Sequence, residues 1–477
     1  MSLLKAIIVE DSETFARTLE ATLDEQGFDS ITLGSLAAFD EWERRSSPTD
    51  TVDLIILDRQ LPLNSSSEPK HEIGAVIFDR MLASFPDAPI VHLTGHSEHN
   101  HLISSIIDRP KISTGSSSEL DSVYYFKKSE VPEFEERVKK IAESIHAIDD
   151  IELIFRSDAE ISQQDRRLLR RICHDFDGAT IEVRPMSGGL TSASVWLCRI
   201  TRTNRSTIEV IAKSSKRNNR YSELQQATNS SAGIVGPIRR VTGLSYGRGA
   251  TIYQLAGSNP RPLFEMFSTD VKRAAELAEN VLRNLETAKT DDVVSLEDLT
   301  KPFISWEKLL EISVKFNVRP PRRTIRVSIN RSVQHGDLHA GNILVVGANP
   351  FVIDLDSEGI MSALIDPITL LWSSLFHPDS PFTGIQWPQD ESLSSSSMDS
   401  ALPDLSQLVS DCPPDFEPWL SALWPAVVDR SRGPNDFWGL TMGFAARQLH
   451  FQDIQESPAL TAKALALFGT ACSRLQS

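Results

Sequence analysis

At 477 residues, 40% hydrophobic and 24% charged, the chain is too long for one ordinary core, and two or three domains are expected. A net charge of −17 excludes a broad nucleic-acid surface, which needs clustered Lys and Arg to displace counterions, but not a local phosphate site. Cys173, Cys198, Cys412 and Cys472 form no close-spaced pair and are expected as reduced thiols rather than a disulfide framework or zinc site. With no signal-peptide pattern at Met1–Lys5 and no apolar stretch near the ~20 residues of a membrane span, the expected location is the cytoplasm, with neither nucleic acid nor membrane as partner.

Up to about Ala147, short apolar runs alternate with helical patterns. Ala6–Val9 is a continuous apolar run, as in a strand covered on both faces. Phe15, Leu19 and Leu23 space a helix from Thr14 to Glu25, which Gly27 closes. Strands are expected at 52–57, 88–93 and 123–126, with helices at 74–85 and 134–145. This alternation predicts a parallel, doubly wound sheet whose site lies at the C-terminal strand ends. Glu10, Asp11, Asp58, Thr94 and Lys127 all fall at such ends.

Residues 148–178 are expected as a connector holding a helix from Gln163 to Phe176, with Ser162 and Asp165 placed as a capping box. Its four arginines, Arg166, Arg167, Arg170 and Arg171, are expected as a solvated face, with contact to the acidic surface of the preceding domain as the alternative. A strand-rich segment opens at Thr180, with a Gly-containing turn at Ser187–Leu190 and a strand ending in Lys213. A helix containing Glu223 is expected next, then a strand and hinge at Thr251–Ala256. From Gly257 the pattern is mainly helical apart from the segment around His335–Asp354. Pro378–Pro414, rich in Ser, Pro and Asp, is expected as a long surface loop.

A carboxylate accepts a phosphoryl group only where a divalent cation neutralises the crowded charge, so Asp58 needs the neighbouring acids Glu10 and Asp11. A hydroxyl and an ammonium must hold the transferred oxygens, and Thr94 and Lys127 are placed for this. With all five positions in order, residues 1–147 resemble the response-regulator receiver family. The resemblance implies a flavodoxin-like sheet, Asp58 as phosphoacceptor, Glu10 and Asp11 with Asp58 as Mg2+ ligands, Thr94 as switch hydroxyl and Lys127 as phosphate-binding cation. It also implies a two-component phosphorelay with a histidine kinase or histidine phosphotransfer protein as partner. Two departures stand out. Lys128 occupies the place where the family usually has Pro, and Lys127 is preferred because Phe134 and Val138 then fall on the apolar face of the last helix. Leu63–Lys70 lengthens the loop after Asp58.

Downstream, His335-Gly336-Asp337-Leu338-His339-Ala340-Gly341-Asn342 precedes Val352-Ile353-Asp354. Asp337 and Asn342 stand at the spacing of the kinase catalytic loop, which puts a carboxylate at an acceptor hydroxyl and an amide at a metal. Phosphoryl transfer needs such positioning and charge stabilisation more than covalent chemistry. The segment from Thr180 to Trp372 resembles the aminoglycoside phosphotransferase and choline kinase family, a branch of the protein-kinase-like fold. The resemblance implies an ATP- or GTP-dependent transferase with Asp337 as catalytic base and Asn342 and Asp354 as Mg2+ ligands. Lys213, steadied by Glu223, should meet the α/β-phosphates, and Gly188 and Gly189 should let backbone approach them. His335, His339 and Asp366 are expected to support the loop, Asp356 to cap a helix, with a second metal contact as its alternative, and Trp372, Trp419, Trp424 and Trp438 to belong to the core.

The expected architecture is therefore an α/β doubly wound parallel sheet (1–147), the connector (148–178) and an α+β bilobal protein-kinase-like domain (179–477, lobes 179–256 and 257–477). The expected function is receiver-controlled, Mg2+- and nucleotide-dependent phosphoryl transfer. His339 stands where protein Ser/Thr kinases commonly carry Lys, which leans toward a small-molecule acceptor. The alternative is a receiver-controlled nucleotide-binding pseudokinase scaffold that recruits a protein partner. A second copy of the chain, as a homodimer, is a further candidate partner. The acceptor, the choice of ATP or GTP, and the sign of regulation stay open.

Overall fold

The structure, a computed structural model, describes residues 3–47, 51–95, 111–114, 119–157, 160–186, 194–216, 235–254, 257, 259–285, 288–388, 402 and 405–476. The chain divides into two compact units. The first holds Met1–Pro185, Ala193–Asn219 and Pro237–Gln254; the second holds Met186–Ser192, Arg220–Gly236 and Leu255–Ser477.

The first unit begins with β1 (Leu4–Val9), α1 (Glu13–Glu25), β2 (Phe28–Leu33), α2 (Leu36–Arg45), β3 (Leu54–Asp58), α3 (His71–Ser84) and β4 (Ile90–Thr94). Two short strands follow, β5 (Ile112–Ser113) and β6 (Glu119–Leu120), then β7 (Val123–Lys127) and α4 (Val131–Asp149). The sheet order is β2-β1-β3-β4-β7, with every pairing parallel. This is the expected flavodoxin-like doubly wound sheet. Every residue of β3 is buried, as both covered faces require. The hydrophobic pattern marked neither β2 nor α2. Only the ends of β2 are buried, because it lies at the sheet edge, and α2 fully buries only Phe39.

The segment expected as a connector is built into a second sheet. β8 (Glu152–Phe155) pairs in parallel with β9 (Gly178–Met186). β10 (Val195–Arg202), β11 (Thr207–Lys216), β12 (Arg239–Thr242) and β13 (Arg248–Tyr253) complete the order β12-β13-β11-β10-β9-β8. Between β8 and β9 runs α5 (Gln163–Asp175), capped by the Ser162 hydroxyl, which accepts from Asp165 N at 3.0 Å. Leu168, Leu169, Ile172 and Cys173 of α5 join Ile181, Trp196 and Cys198 of the sheet in one core.

Two of the four α5 arginines, Arg167 and Arg171, are not on a solvated face, whereas Arg166 is exposed. Arg167 is 5% exposed and Arg171 fully buried, because on a second side the helix meets α4, Asp53 and Ser113. Arg167 donates to Asp53 before β3 (3.1 Å), to Asp149 at the end of α4 (2.8 Å) and to the Tyr246 hydroxyl in the β12–β13 turn (2.7 Å). Arg171 donates to Asp175 (3.2 Å) and to Ser113 Oγ (3.1 Å). The β12–β13 turn itself docks on the receiver. Leu244 belongs to the receiver core, and the Asp87 carboxylate accepts from Ser245 Oγ (3.2 Å) and Gly247 N (2.9 Å). Gly243, at φ +92°, lies so close to Ser113 O that an added Cβ would stand 2.4 Å from it, so this turn demands glycine.

The second unit is α+β. It holds β14 (Arg261–Pro262), α6 (Phe264–Phe267), α7 (Val271–Asn284), β15 (Thr290–Ser295), α8 (Leu296–Thr300), α9 (Trp306–Lys315) and β16 (Arg326–Gln334). β17 (Ile343–Val346), β18 (Asn349–Val352), β19 (Gly359–Ser362) and α10 (Ile365–Ser373) follow. The chain ends in α11 (Leu405–Ser410), α12 (Glu417–Arg430), α13 (Pro434–His450), α14 (Gln452–Glu456) and α15 (Pro458–Arg474). Two three-stranded sheets, β14-β17-β18 and β15-β16-β19, frame the segment from His335 to Asp354. Trp372, Trp419, Trp424 and Trp438 are core residues, as expected. Pro378–Pro414 is not all surface loop. Phe382 and Trp387 are buried against Phe416, and Leu405–Ser410 is helical. The apolar residues were too widely spaced among Ser and Pro to show a period. No helix among the described residues is long and apolar enough to cross a membrane.

Candidate functional site

The receiver's acids meet where parallel strands end. β1 ends beside Glu10 and Asp11, and β3 ends in Asp58. One ligand oxygen from each lies within 4.8 Å of the others. Glu10 and Asp58 are buried and Asp11 is exposed. Burial pushes the Glu10 carboxyl above its ordinary range, aided by the neighbouring charge of Asp58 and opposed by a hydrogen bond from Lys128. Thr94 ends β4 in register with Lys127 of β7, so the expected hydroxyl also reaches this rim.

The expected lysine is displaced by one residue. Lys128, not Lys127, reaches the acids: its Nζ lies 2.7 Å from Glu10 Oε2 and 2.8 Å from Asp58 Oδ2. Burial disfavours its charge, but the hydrogen bonds to Asp58 and Glu10 outweigh this and hold its pKa above the ordinary value. Lys127 points to Glu130, 4.0 Å away. The slip has a local cause. β7 ends at Lys127, and the turn, in which Lys128 N donates to Thr94 O and Glu130 N to Lys127 O, sends the next side chain inward. Its ammonium lies 4.9 Å over the Phe15 ring. Three carboxylate oxygens this close suit a small hard cation, and the Lys128 ammonium shows that the pocket accepts positive charge. The lengthened loop is pinned at its base by a Leu61–Lys70 bridge.

In the second unit, β16 runs into His335 and the chain is then held by backbone contacts. Asp366, fully buried, accepts from His335 N (2.8 Å) and Gly336 N (2.9 Å). His335 Nε2 meets Ile353 O at 2.9 Å. Both are the supporting roles expected of them. Gly336 has φ +83°, and an added Cβ would stand 2.3 Å from Ser357 O. The Asn342 amide donates to Asp337 O at 2.9 Å, and Ile353 N donates to Asn342 O at 3.0 Å. That last bond extends the β17–β18 ladder and sets Asn342 beside the approach to Asp354. Asp354 is buried, with φ +74°, an uncommon conformation for a non-glycine residue of the kind found at functional sites. Asp354 and the oxygen of Asn342 are a donor set suited to Mg2+.

Asp337 carries a contact that the sequence pattern did not signal. Arg447 Nη1, from the last turn of α13, donates to Asp337 Oδ1 at 3.1 Å. Burial is the largest influence on Asp337 and acts to raise its pKa. The charges of His339, Arg447 and His335 outweigh it and hold the carboxyl below its ordinary value. His339 Nδ1 accepts from Gly341 N at 3.1 Å, and its ring packs near Phe264 and His377. Burial and the charge of His339 hold His377 down to about 3. The partner of Asp337 lies 110 residues away in sequence, and no periodicity links two such positions.

Lys213 stands on β11 of the first unit, in register with Val195 and Thr251. Gly188, Gly189 and Glu223 lie outside the described residues.

Residues 253–393 match the phosphotransferase enzyme family, so the C-terminal part of the chain carries a domain of that family. No curated protein matches the chain. Among solved structures, a response regulator from Thermotoga maritima is 20% identical, covers 30% of this chain and 98% of its own, and has a TM-score of 0.22. A response regulator protein from Burkholderia pseudomallei, with a phosphorylated aspartic acid, calcium ion and citrate, is 17% identical over 32% of this chain and 78% of its own, TM-score 0.21. The amicoumacin kinase hAmiN in complex with AMP-PNP, Ca2+ and Ami is 13% identical over 61% of this chain and 87% of its own, TM-score 0.30.

Proposed function

We propose that the chain is a signalling phosphotransferase. In this reading the second unit transfers the γ-phosphoryl group of ATP or GTP to a hydroxyl, more readily on a small molecule than on a protein. The receiver's phosphorylation on Asp58 by a histidine kinase or histidine phosphotransfer protein sets the rate. The observation that carries the catalytic half is the frame around Asp337. One buried carboxylate and one backbone ladder hold Asp337, Asn342 and Asp354 in a single constellation, as a reaction dominated by positioning requires.

In that constellation Asp337 accepts the hydrogen bond and then the proton of the acceptor hydroxyl. Asn342 and Asp354 would hold Mg2+, which when bound neutralises phosphate charge. Asp366 and His335 keep the loop backbone fixed, so little reorganisation remains at the moment of transfer. Lys213 is the remaining cation that the family resemblance assigns to the nucleotide.

The regulatory half rests on the first unit. The same sheet that carries Lys213 is joined to the receiver through Arg167, Arg171 and the β12–β13 turn. A change in receiver state that shifts Asp53, Asp87 or Ser113 therefore has a continuous packed route into that sheet. This route differs from the last receiver strand and helix alone, which adjacency in sequence would favour.

The test is turnover of Mg2+-nucleotide by wild type and Asp337→Asn, each with the receiver unphosphorylated and treated with an acyl-phosphate mimic. Turnover that Asp337→Asn abolishes, and that the mimic changes in wild type but not in Asp58→Asn, is the expected result. Binding without turnover in every state would replace the enzyme by a nucleotide-dependent scaffold.

A further inference from the structure

We infer that Arg447 is a catalytic residue: it neutralises the phosphoryl group in transit beside Asp337. The inference rests on the functional reading above. A hydroxyl held on the Asp337 carboxylate must stand within about 3–3.5 Å of the phosphorus it attacks. A guanidinium already 3.1 Å from that carboxylate is then within side-chain reach of the phosphoryl oxygens.

Three further observations agree. Among the described residues, Nη1 on Asp337 is the single hydrogen bond that the Arg447 fork makes to protein, so most of its five donors stay with a group built to bind phosphate bidentately. The guanidinium is presented by a fixed element. From Phe437 to Ala446, α13 is buried throughout, so Arg447 is anchored at its base while its head lies 5.9 Å from the Phe451 ring. The loop's own histidines are committed to it: His339 Nδ1 accepts from Gly341 N, and His335 Nε2 is paired with Ile353 O. Without Arg447, the Asp337 carboxylate and an incoming triphosphate would repel each other.

The acceptor oxygen forms a bond to the γ-phosphorus, and the bond from that phosphorus to the β–γ bridging oxygen breaks. The nucleoside diphosphate leaves with the electron pair, and the hydroxyl proton passes to Asp337. Through the step Arg447 turns from the carboxylate toward the phosphoryl oxygens, where charge is spread.

The experiment compares Arg447→Gln, Arg447→Lys and Asp337→Asn in the full chain, using Mg2+-ATP hydrolysis with water as acceptor. It also uses binding of Mg2+-ADP with and without aluminium fluoride, a mimic of the phosphoryl group in flight. Arg447→Gln should lower kcat about 10²–10³-fold, in the range of a lost transition-state cation, with nucleotide KM within about threefold. It should also lose the extra affinity that fluoride confers, and Arg447→Lys should restore part of both. Unchanged kcat and an unchanged fluoride effect would overturn the proposal, as would a loss confined to the KM of a later-identified acceptor. If Arg447→Gln melts early, Arg447→Lys, which keeps charge and stem, carries the same comparison. Full turnover in Asp337→Asn would sink the functional reading itself; silence in Asp337→Asn beside an active Arg447→Gln would sink only this inference.

Discussion

The two acidic sites of this chain solve one problem in opposite ways. In the receiver, Glu10 and Asp58 are brought together by side chains at strand ends, and a lysine ammonium offsets their charge directly. In the second unit, Asp337 and Asn342 sit on a loop whose backbone is gripped from beneath by Asp366. The receiver pocket is closed by ion pairs from one side chain, Lys128. The loop cannot reorganise without breaking buried hydrogen bonds. A switch benefits from the first construction and a transfer site from the second.

The comparison breaks most visibly at Asp366. Asp366→Ala leaves the His335 and Gly336 amides buried without acceptors, and each such donor costs about 1–3 kcal/mol. Turnover should fall by about three orders of magnitude as the Asp337 loop loses its frame, and the thermal transition of the second unit should drop. Asp58→Ala, by contrast, should spare the fold of the receiver while abolishing its phosphorylation. Wild-type turnover in Asp366→Ala would show that the loop does not depend on this grip.

The next effect is at the joint inside the first unit. Arg167→Ala strips a buried cation from Asp53 and Asp149, and breaking such a pair costs about 3–5 kcal/mol. Arg166→Ala, on the exposed side of the same helix, should stay within about 0.5 kcal/mol of wild type. Urea unfolding of both variants checks the contrast. If Arg167 couples receiver to transferase, the variant should also lose any dependence of turnover on receiver state. Retained dependence would place the route elsewhere.

A smaller effect sharpens the receiver side. Lys128→Gln removes hydrogen bonds between charged groups worth about 1.5–3 kcal/mol, so Asp58 phosphorylation should slow or the acyl phosphate should shorten in life by roughly ten- to hundredfold. Lys127→Gln should change little, because Lys127 is paired only loosely with Glu130. Phosphorylation followed on denaturing gels separates the two, and equal effects would return the role to Lys127.

These contrasts also show what was legible. The receiver was readable as a sheet because β1 and β3 hold unbroken apolar runs at Ala6–Val9 and Leu54–Leu57 and β4 is apolar but for His92 and Thr94, and its acids because they end the first two runs. The lysine register was not, since adjacent lysines look alike until the turn after β7 decides which faces inward. The contiguous stretch from His335 to Asn342 named the loop, and Asp366 was readable as its support. Arg447 was not readable, and for Arg167 contact with the receiver's acids was only the second reading, because each acts through a partner far off in sequence. Charge in a helix looks solvated until a second surface covers it. The second surface on α5 is the receiver, a long-range fact that no local pattern carries.

The smallest effect is a pH dependence that contrasts with the cation-balanced acids. Asp436, buried at the start of α13, accepts from Ser362 Oγ at 3.1 Å and from Arg432 N at 3.4 Å, a hydroxyl and an amide rather than a cation. Burial pushes its carboxyl up to about 7. A carboxyl whose folded value is raised favours the folded state below its unfolded value, near 4, and loses that contribution as pH rises to about 7. At about 1.4 kcal/mol per unit, the loss is of order 2–4 kcal/mol. Asp436→Asn cannot ionise, so urea unfolding should find it more stable than wild type at pH 8, with the difference closing toward pH 4. A difference that is constant across that range would mean that Asp436 is charged in the folded state throughout, and that a cation reaches it as one reaches Glu10 and Asp58.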